Sequence, residues 1–394
     1  MKNALHLRQI SVQGFKSLEN FSAHFQPNVT VLIGANGAGK STILQFFSFI
    51  QSFISGSPLR FFEERAWAPK SIKSFISHSN QIQAELTFET HNHTQILWTF
   101  QWRITDNILC GENLKRKQQN QWIEVFTYLT EQQGAINRIQ VDNEIIEGLR
   151  LSGSILAILD TNIIRDEESR TIAQALQEWG QGILALELMN PTAMRQGIFD
   201  AAWHFGHQGK GIARFLASLS TAQKERVVTR LSQFYPTLKA LHTIQDKAGW
   251  VDVQIAEKFP NACPIHAEHI SDGFLRLIAI ASLPEISHQI SLILLDEIED
   301  GIDPHILSDL IENISQEQEA QWIMTSHSPV LVNRFDPVQV RFLARADTGE
   351  TLSVGFDEIK EIQQDLEYQG VGEIWFHTTQ STIEQWLKKN LSCQ

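Results

Sequence analysis

Hydrophobic and polar positions follow different patterns in different parts of the 394-residue chain. Residues 5–12 and 21–33 have the composition of β-strands, and a helix with apolar periodicity is predicted from about Ser41. Residues 58–80 have no regular pattern. Residues 81–148 alternate between apolar and polar positions, as in "QIQAELTFET" and "QILWTFQWRI". This alternation predicts an antiparallel sheet that is exposed on one face.

The second half of the chain changes from helical spacing to a regular succession of helices and strands. Residues from about 152 to 245 have helical spacing, and residues 250–256 form a further predicted strand. After residue 270 the order is helix, strand, helix, strand, with short apolar strands at 292–295 and 321–325. Strands that alternate with helices in this way predict a parallel sheet.

We therefore expect an α/β protein with a parallel-sheet core, an antiparallel β lobe and a helical subdomain. The predicted N-terminal lobe covers residues 1–150, and the predicted helical subdomain covers residues 151–250. Residues 251–394 are predicted to form a C-terminal lobe that completes the core.

Composition and charge restrict the functions that this architecture can serve. No apolar run reaches the roughly 18 residues that a membrane helix needs, so no membrane association is expected. Cys110, Cys263 and Cys393 are too scattered for a disulfide framework or a zinc site, which favours a cytoplasmic location. The formal net charge of −13 repels polyanions, so DNA contact would need a local basic patch. The basic residues 115–117 could form one, but a solvated hairpin tip is the simpler interpretation.

The segment "VLIGANGAGKST" has the spacing of a phosphate-binding loop between a strand and a helix. Its glycines let backbone amides turn inward around an anion, and the helix N-terminus adds partial positive charge. Lys40 is expected to neutralise the β- and γ-phosphates of ATP, and Ser41 is expected to coordinate Mg²⁺. The candidate nucleotide-binding residues are Gly34, Asn36, Gly37, Gly39, Lys40, Ser41 and Thr42.

A run of acidic residues follows the predicted strand at 292–295. An acid at the carboxyl end of a parallel strand points into the crevice where ligands bind. Asp296 is therefore expected to belong to the Mg²⁺ shell, and Glu297 is expected to polarise the attacking water as a catalytic residue. Glu299 and Asp300 fit a solvated loop better.

Three further positions are candidates for the same chemistry. His327 follows the strand at 321–325, and its neutral imidazole could hydrogen-bond the γ-phosphate or the water. Asp303 lies in a turn and is a candidate for communication across an interface. The Ser-Asp-Gly triplet at 271–273 begins a helix, where Ser and Asp are favoured caps and free amides are available to an anion.

These motifs, in this order, resemble the ABC-type ATPases of the RecF/SMC class, and in particular the standalone RecF-like ATPases of bacteria. The similarity covers nearly the whole chain and includes "GANGAGKST", "ISDGFLRLIAIASL", "LILLDEIEDGID" and "MTSHSPVLV". The resemblance implies that Ser271 and Gly273 form the signature motif, which contacts the γ-phosphate of ATP bound to the other subunit of a dimer. It also implies that Asp303 is the D-loop aspartate and that His327 is the switch histidine.

The resemblance implies Mg²⁺-dependent ATP hydrolysis by a homodimer that closes around two ATP molecules. It further implies a role in DNA maintenance or antiphage defence, with a separately encoded nuclease as a candidate partner. The chain departs from the usual D-E-P-E run at Ile298 and from the histidine that is frequent at Asp303, without losing a catalytic group. The glutamine of the Q-loop is not assigned.

Two other functions are compatible with a phosphate-binding loop. One is a transport ATPase subunit, which the long β-rich segment after the loop disfavours. The other is a nucleotide-gated binding module with little turnover, which the presence of Glu297 and His327 disfavours.

Overall fold

The computed structural model describes residues 5–77, 79–130, 137–142, 144–186, 189–196, 205, 207–286, 289–317 and 320–391. The strands in this part of the chain are β1 (Leu5–Gln13), β2 (Phe21–His24), β3 (Val29–Gly34), β4 (Gln81–Thr90), β5 (Gln95–Arg103), β6 (Ile108–Gln118), β7 (Gln121–Leu129), β8 (Arg138–Val141), β9 (Glu144–Glu147), β10 (Ile183–Leu186), β11 (Leu238–Gln245), β12 (Val251–Glu257), β13 (Ile265–His266), β14 (Leu292–Leu295), β15 (Gln321–Thr325), β16 (Val340–Arg345) and β17 (Thr351–Gly355). The helices are α1 (Lys40–Ile54), α2 (Pro58–Glu63), α3 (Glu167–Gln181), α4 (Pro191–Gln196), α5 (Ile212–Ser218), α6 (Thr221–Ser232), α7 (Asp272–Ala281), α8 (Pro304–Glu317), α9 (Pro329–Val332), α10 (Val371–His377) and α11 (Gln380–Leu391).

The core is a six-stranded sheet with the order β10-β14-β15-β3-β16-β17. Its first five strands are parallel, and β17 runs antiparallel to β16. Strands β3, β14 and β15 are buried along their whole length, as expected for a parallel sheet that is covered on both faces. The predicted parallel-sheet core is therefore confirmed.

The two faces of β3 belong to two different hydrophobic cores. Leu32 packs in the core that contains the apolar side chains of α1. Val31 and Ile33 pack in the core that contains α7 and α8. This alternation places α1 on one face of the sheet and α7 and α8 on the other.

An antiparallel sheet with the order β2-β1-β4-β5-β6-β7-β8-β9 forms the predicted β lobe. Its inward-facing residues pack on α1, where the ring centroids of Phe53 and Phe100 are 4.5 Å apart and those of Phe49 and Trp102 are 5.2 Å apart. The outward-facing positions of β4 are polar and partly or fully exposed. The alternation at residues 81–148 therefore predicted this sheet correctly.

The helical subdomain has α4, α5 and α6 beside a small antiparallel sheet of β11, β12 and β13, whereas α3, also predicted to belong to it, packs in the same core as α1 and the β lobe. Arg226 and Arg230 on α6 bind the buried carboxylate of Glu285, which lies just after α7. This ion pair joins the subdomain to the core. The core sheet takes strands from all three predicted segments, and the boundaries at residues 150 and 250 stay a prediction.

Five local predictions of secondary structure or exposure are wrong. Residues 238–245, at the end of the predicted helical stretch, form β11, which pairs with β12. Residues 21–33 form two strands in different sheets, because a turn separates β2 from β3. Residues 183–186, assigned to a helical stretch, form β10, since this short apolar run pairs with β14 inside the core. Residues 58–80 include α2. Arg116 is not at a solvated hairpin tip: it is buried in β6 and binds Asp166 and Glu168.

None of the helices in the described ranges is both long enough and apolar enough to span a membrane.

Candidate nucleotide-binding site

The phosphate-binding loop joins β3 to α1 at the carboxyl edge of the core sheet. Gly34, Gly37 and Gly39 have φ angles of 142°, 80° and 107°, a region that residues with side chains rarely adopt. At Gly39 a Cβ atom would also lie 2.2 Å from the hydroxyl of Thr351. Glycine is therefore required there for both backbone conformation and space.

Lys40 begins α1 and folds back over the loop. Its ammonium donates to the carbonyl oxygens of Gly34 (2.8 Å) and Ala35 (3.0 Å). Burial lowers the pKa of Lys40, while the carboxylates of Glu297 and Asp296 act in the opposite direction. A buried cation is stabilised by an anionic partner, so a phosphate group suits this position.

Ser41 and Asp296 meet in a short chain of hydrogen bonds across the sheet edge. The Ser41 hydroxyl donates to Asp296 Oδ1 (3.2 Å), and the Thr325 hydroxyl donates to the same oxygen (2.7 Å). The Thr325 hydroxyl also accepts from the backbone amide of Glu297 (2.8 Å). Thr325, which the sequence interpretation missed, thus connects the ends of β14 and β15.

The hydroxyl of Ser41 and the carboxylate of Asp296 are hard oxygen ligands of the kind that Mg²⁺ prefers. In the described ranges, no group of three or more His, Cys, Asp and Glu side chains could hold a metal ion. An Mg²⁺ ion bound here would therefore complete its shell with phosphate oxygens and water, as is usual at phosphoryl-transfer sites.

Glu297 has a left-handed backbone, with φ of 46°. Such a conformation is uncommon for a residue with a side chain and concentrates at functional sites. Its side chain is 45% exposed and lines the same cavity of about 380 Å³ as the loop. The lining residues of this nucleotide cavity are Lys16, Ser17, Asn36, Gly37, Gly39, Lys40, Ser41, Thr42, Ser71, Phe75, Glu297 and Arg345.

His327 lies beside this cavity, with its Nε2 3.9 Å from Glu297 Oε1. This Nε2 atom is buried and has no hydrogen-bond partner among the described residues. Burial, and then the charge of Lys40, lower the pKa of His327 below 6.5, so the ring is neutral at pH 7. An orphaned, buried nitrogen at the rim of a phosphate-binding loop fits a ligand group.

Glu299 is not part of a solvated loop, contrary to the prediction. Its carboxylate accepts a hydrogen bond from the backbone amide of His327, and its Oε2 atom is buried. Glu299 therefore holds the backbone at His327 in place. Asp300 is exposed as predicted, and it binds Arg276 of α7.

Ser271, Gly273 and Asp303 lie together in a second cavity of about 360 Å³. The Ser271 hydroxyl caps α7 by accepting from the amide of Phe274 (3.4 Å). A Cβ atom on Gly273 would lie 1.8 Å from the carbonyl oxygen of Gly301. No residue lines both cavities. Within one chain, the signature motif is thus not part of the nucleotide cavity.

Lys16, Phe75 and Arg345 line the nucleotide cavity but were not candidates. Arg345 ends β16, the parallel neighbour of β3, so the same strand-end rule that selected Asp296 could have found it. Phe75 is 89% exposed and carries no motif that the sequence could reveal.

Comparison with known proteins agrees with this geometry. A family model described as the RecF/RecN/SMC N-terminal domain matches residues 6–347. One similar solved structure is the SMC head bound to the C-winged helix domain of ScpA, with 14% identity and a TM-score of 0.52 over 91% of this chain and 99% of that one. Another is the Smc head domain of Pyrococcus furiosus with an extended coiled coil, bound to the C-terminal domain of ScpA. It has 12% identity and a TM-score of 0.51 over 92% and 100% of the two chains.

No curated protein matches the sequence. At such low identities the solved structures establish the fold alone, which is that of an ABC-type P-loop ATPase head. The family model covers most of the chain, from β1 through the end of β16. The chain therefore belongs to the RecF/RecN/SMC N-terminal domain family of ATPases, which supports an ATP-driven activity in a DNA-related role.

Proposed function

We propose that this protein is an Mg²⁺-dependent ATPase that works as a homodimer closed around two ATP molecules. The observation that carries the proposal is the convergence of Lys40, Ser41–Asp296 and Glu297 at one edge of the core sheet. These groups supply a counter-charge for phosphate, oxygen ligands for Mg²⁺ and a carboxylate for water.

In the proposed reaction, a water oxygen attacks the γ-phosphorus of ATP while Glu297 accepts a proton from that water. The bond between the γ-phosphorus and the β–γ bridging oxygen breaks, and ADP leaves with the electron pair. Lys40 and the loop amides stabilise the charge on the phosphate oxygens. Bound Mg²⁺ would neutralise part of that charge, held by Ser41 and Asp296.

The neutral ring of His327 has a defined place in this reaction. Its buried Nε2 atom lacks a partner in the described structure and lies near the carboxylate of Glu297. A γ-phosphate oxygen or the attacking water would satisfy it. Glu299 accepts from the backbone amide of His327, so the backbone at this residue is held in place before any ligand arrives.

The second cavity supports the dimer. Ser271 and Gly273 lie at a helix N-terminus, which attracts anions, yet the nucleotide cavity of the same chain does not include them. A two-fold dimer would place each signature motif against the ATP of the partner and make the two sites equivalent. ATP then stabilises the closed dimer because it contacts both subunits, and hydrolysis removes this bridge.

We further propose that the dimer acts as a switch in DNA maintenance or antiphage defence, through a separate effector protein. Membership of the RecF/RecN/SMC family supports a DNA-related role. The solved SMC head in complex with the C-winged helix domain of ScpA supports the idea of a protein partner for a head of this fold. A separately encoded nuclease is our candidate for that partner.

Sedimentation velocity of Glu297→Gln with and without Mg²⁺-ATP tests the proposal. This variant keeps the groups that bind ATP but cannot turn it over, so ATP should convert monomers into dimers. Lys40→Ala is the matched control and should stay monomeric. A Glu297→Gln protein that binds ATP and remains monomeric would contradict the dimer.

Steady-state phosphate release distinguishes the alternatives. Turnover by the wild-type protein that Glu297→Gln abolishes supports an ATPase, whereas stoichiometric nucleotide binding without turnover supports a binding module. Co-purification with an integral membrane protein would support a transport subunit instead.

A further inference from the structure

The first turn of α7 carries a negative charge at the place where the proposed dimer would bring the γ-phosphate of the partner's ATP. Asp272 is the first residue of this helix, and its side chain is 61% exposed. It lies between Ser271 and Gly273. A carboxylate competes with an anionic ligand for the partial positive charge of a helix N-terminus and also repels that ligand.

Arg195, in the last turn of α4, binds this carboxylate. Its Nη2 donates to Asp272 Oδ1 (2.7 Å) and to the carbonyl oxygen of Ile270 (2.6 Å). Its Nε donates to the carbonyl oxygen of Ala267 (3.0 Å). One guanidinium thus neutralises Asp272 and holds two points of the backbone that leads into the signature motif.

The start of α4, the helix that carries Arg195, is itself held by hydrogen bonds. The side-chain oxygen of Asn190 accepts from the amides of Thr192 (2.9 Å) and Ala193 (3.2 Å) at the start of α4. A second arginine links the same two parts of the chain: Arg276 of α7 donates to the carbonyl oxygen of Met189 (2.9 Å), just before α4. Each of the two helices thus carries an arginine that binds backbone carbonyl oxygens in the segment just before the other helix.

We infer that Arg195 is the positioning residue of the signature motif, and that it makes this motif able to accept the γ-phosphate of the partner's ATP. Its guanidinium cancels the charge of Asp272, while its bonds to Ala267 and Ile270 set the backbone before Ser271. The inference rests on the proposed dimer. It assigns to the helical subdomain an indirect role in the response to ATP, since Arg195 belongs to α4 and acts through Asp272 and the backbone before Ser271.

The experiment uses the full-length Glu297→Gln protein as the parent, with sedimentation velocity across a range of Mg²⁺-ATP concentrations. Arg195→Gln should weaken ATP-driven dimerisation by roughly tenfold or more, because a charged hydrogen-bonded pair is lost and Asp272 is left uncompensated. Adding Asp272→Asn should restore most of the loss, since the repelling charge is then gone. Binding of a fluorescent ATP analogue by the monomer should be unchanged in both variants.

Arg214→Gln is the matched control, because Arg214 lies on α5 of the same subdomain and binds only the carbonyl oxygen of Gly249 among the bonds described. It should dimerise like the parent. Thermal unfolding of each variant shows whether a loss reflects misfolding, and the rescue by Asp272→Asn does not depend on that measurement.

Dimerisation of Arg195→Gln at the parent's ATP concentration would overturn the inference. So would a failure of Asp272→Asn to restore dimerisation in a folded double variant. A parent that stays monomeric with ATP would instead contradict the proposed function, before the role of Arg195 is reached.

Discussion

The nucleotide cavity and the signature motif are organised in different ways. In the nucleotide cavity, side chains position one another: Thr325 and Ser41 hold Asp296, and Glu299 holds the backbone of His327. At the signature motif, contacts to backbone atoms dominate: Gly273 lies directly against the carbonyl oxygen of Gly301, and Arg195 binds the carbonyl oxygens of Ala267 and Ile270.

This difference separates what one chain can do alone from what needs a partner. The nucleotide cavity holds groups for phosphate, metal and water, so a monomer should bind ATP. The signature motif offers backbone amides and the Ser271 hydroxyl, and its cavity also contains the carboxylate of Asp303 but none of the residues that line the nucleotide cavity. It should therefore affect association and turnover while leaving nucleotide binding by the monomer unchanged.

The largest effect is expected from Glu297→Gln. Loss of the proton acceptor should lower kcat by about a thousandfold, the range found when a general base is removed. Nucleotide affinity of the monomer should change by less than about twofold, since no group that binds the phosphates is lost. Phosphate release and equilibrium binding measure the two quantities. Retention of a substantial part of turnover would assign the base to another residue.

A mixing experiment tests whether the signature motif acts on the partner's ATP. Ser271→Arg and Lys40→Ala should each lose about a hundredfold in turnover, because every site in either homodimer lacks an essential group. In a mixed dimer, the intact loop of the Ser271→Arg subunit meets the intact signature of the Lys40→Ala subunit. Turnover should therefore reappear in the mixture.

The control for this mixture is Lys40→Ala with Glu297→Gln. Both changes affect the nucleotide cavity, so every composite site stays defective and turnover should remain low. If turnover recovered equally in both mixtures, the recovery would not come from an intact composite site. If turnover recovered in neither mixture, the signature motif would not act on the partner's ATP.

Two glycines provide a smaller and more local contrast. At Gly37 a Cβ atom meets nothing within 4 Å, but φ is 80°, so Gly37→Ala should cost about 1–2 kcal/mol in backbone strain and weaken ATP binding. Gly273→Ala should instead push α7 away from Gly301 and lower ATP-driven dimerisation by about tenfold, with ATP binding intact. Binding and sedimentation data that reverse this pattern would contradict the division between the two regions.

The smallest effect concerns pH. Because burial and Lys40 lower the pKa of His327 below 6.5, its ring should be neutral throughout neutral pH and become protonated only in more acidic solution. Turnover should be nearly constant around neutral pH and fall only in more acidic solution, as protonation removes the neutral form. His327→Gln should lose this acidic limb. A wild-type profile that rises toward low pH would contradict a neutral histidine.

Most of the predicted site residues that line the nucleotide cavity follow local rules in the sequence. A glycine loop before a helix, and acids or a histidine after apolar strands, can be recognised without knowing the neighbours. Glu299, Thr325 and Arg195 could not be found this way. Each matters through a contact with a distant part of the chain, as in the bond between Arg195 and Asp272.

The errors in secondary structure have a similar cause. The run Ile183–Leu186 is too short for periodicity to separate a strand from a buried helix, and only its pairing with β14 decides the matter. In residues 21–33, a continuous β pattern hides a change of sheet between β2 and β3. Local composition therefore left open both the element type of a short apolar run and the sheet to which a strand belongs.

The central place of β3 has a consequence for biosynthesis. This strand leaves the ribosome well before β15 and β16, yet it lies between these two strands in the sheet. Until those strands emerge, both edges of β3 are open, so the catalytic sheet cannot close and apolar strand edges stay exposed to other chains. The antiparallel lobe, built from near neighbours in sequence, can form first. A translating ribosome should therefore carry a folded β lobe and an unfinished ATPase, and this interval is the point at which a chaperone would be needed most.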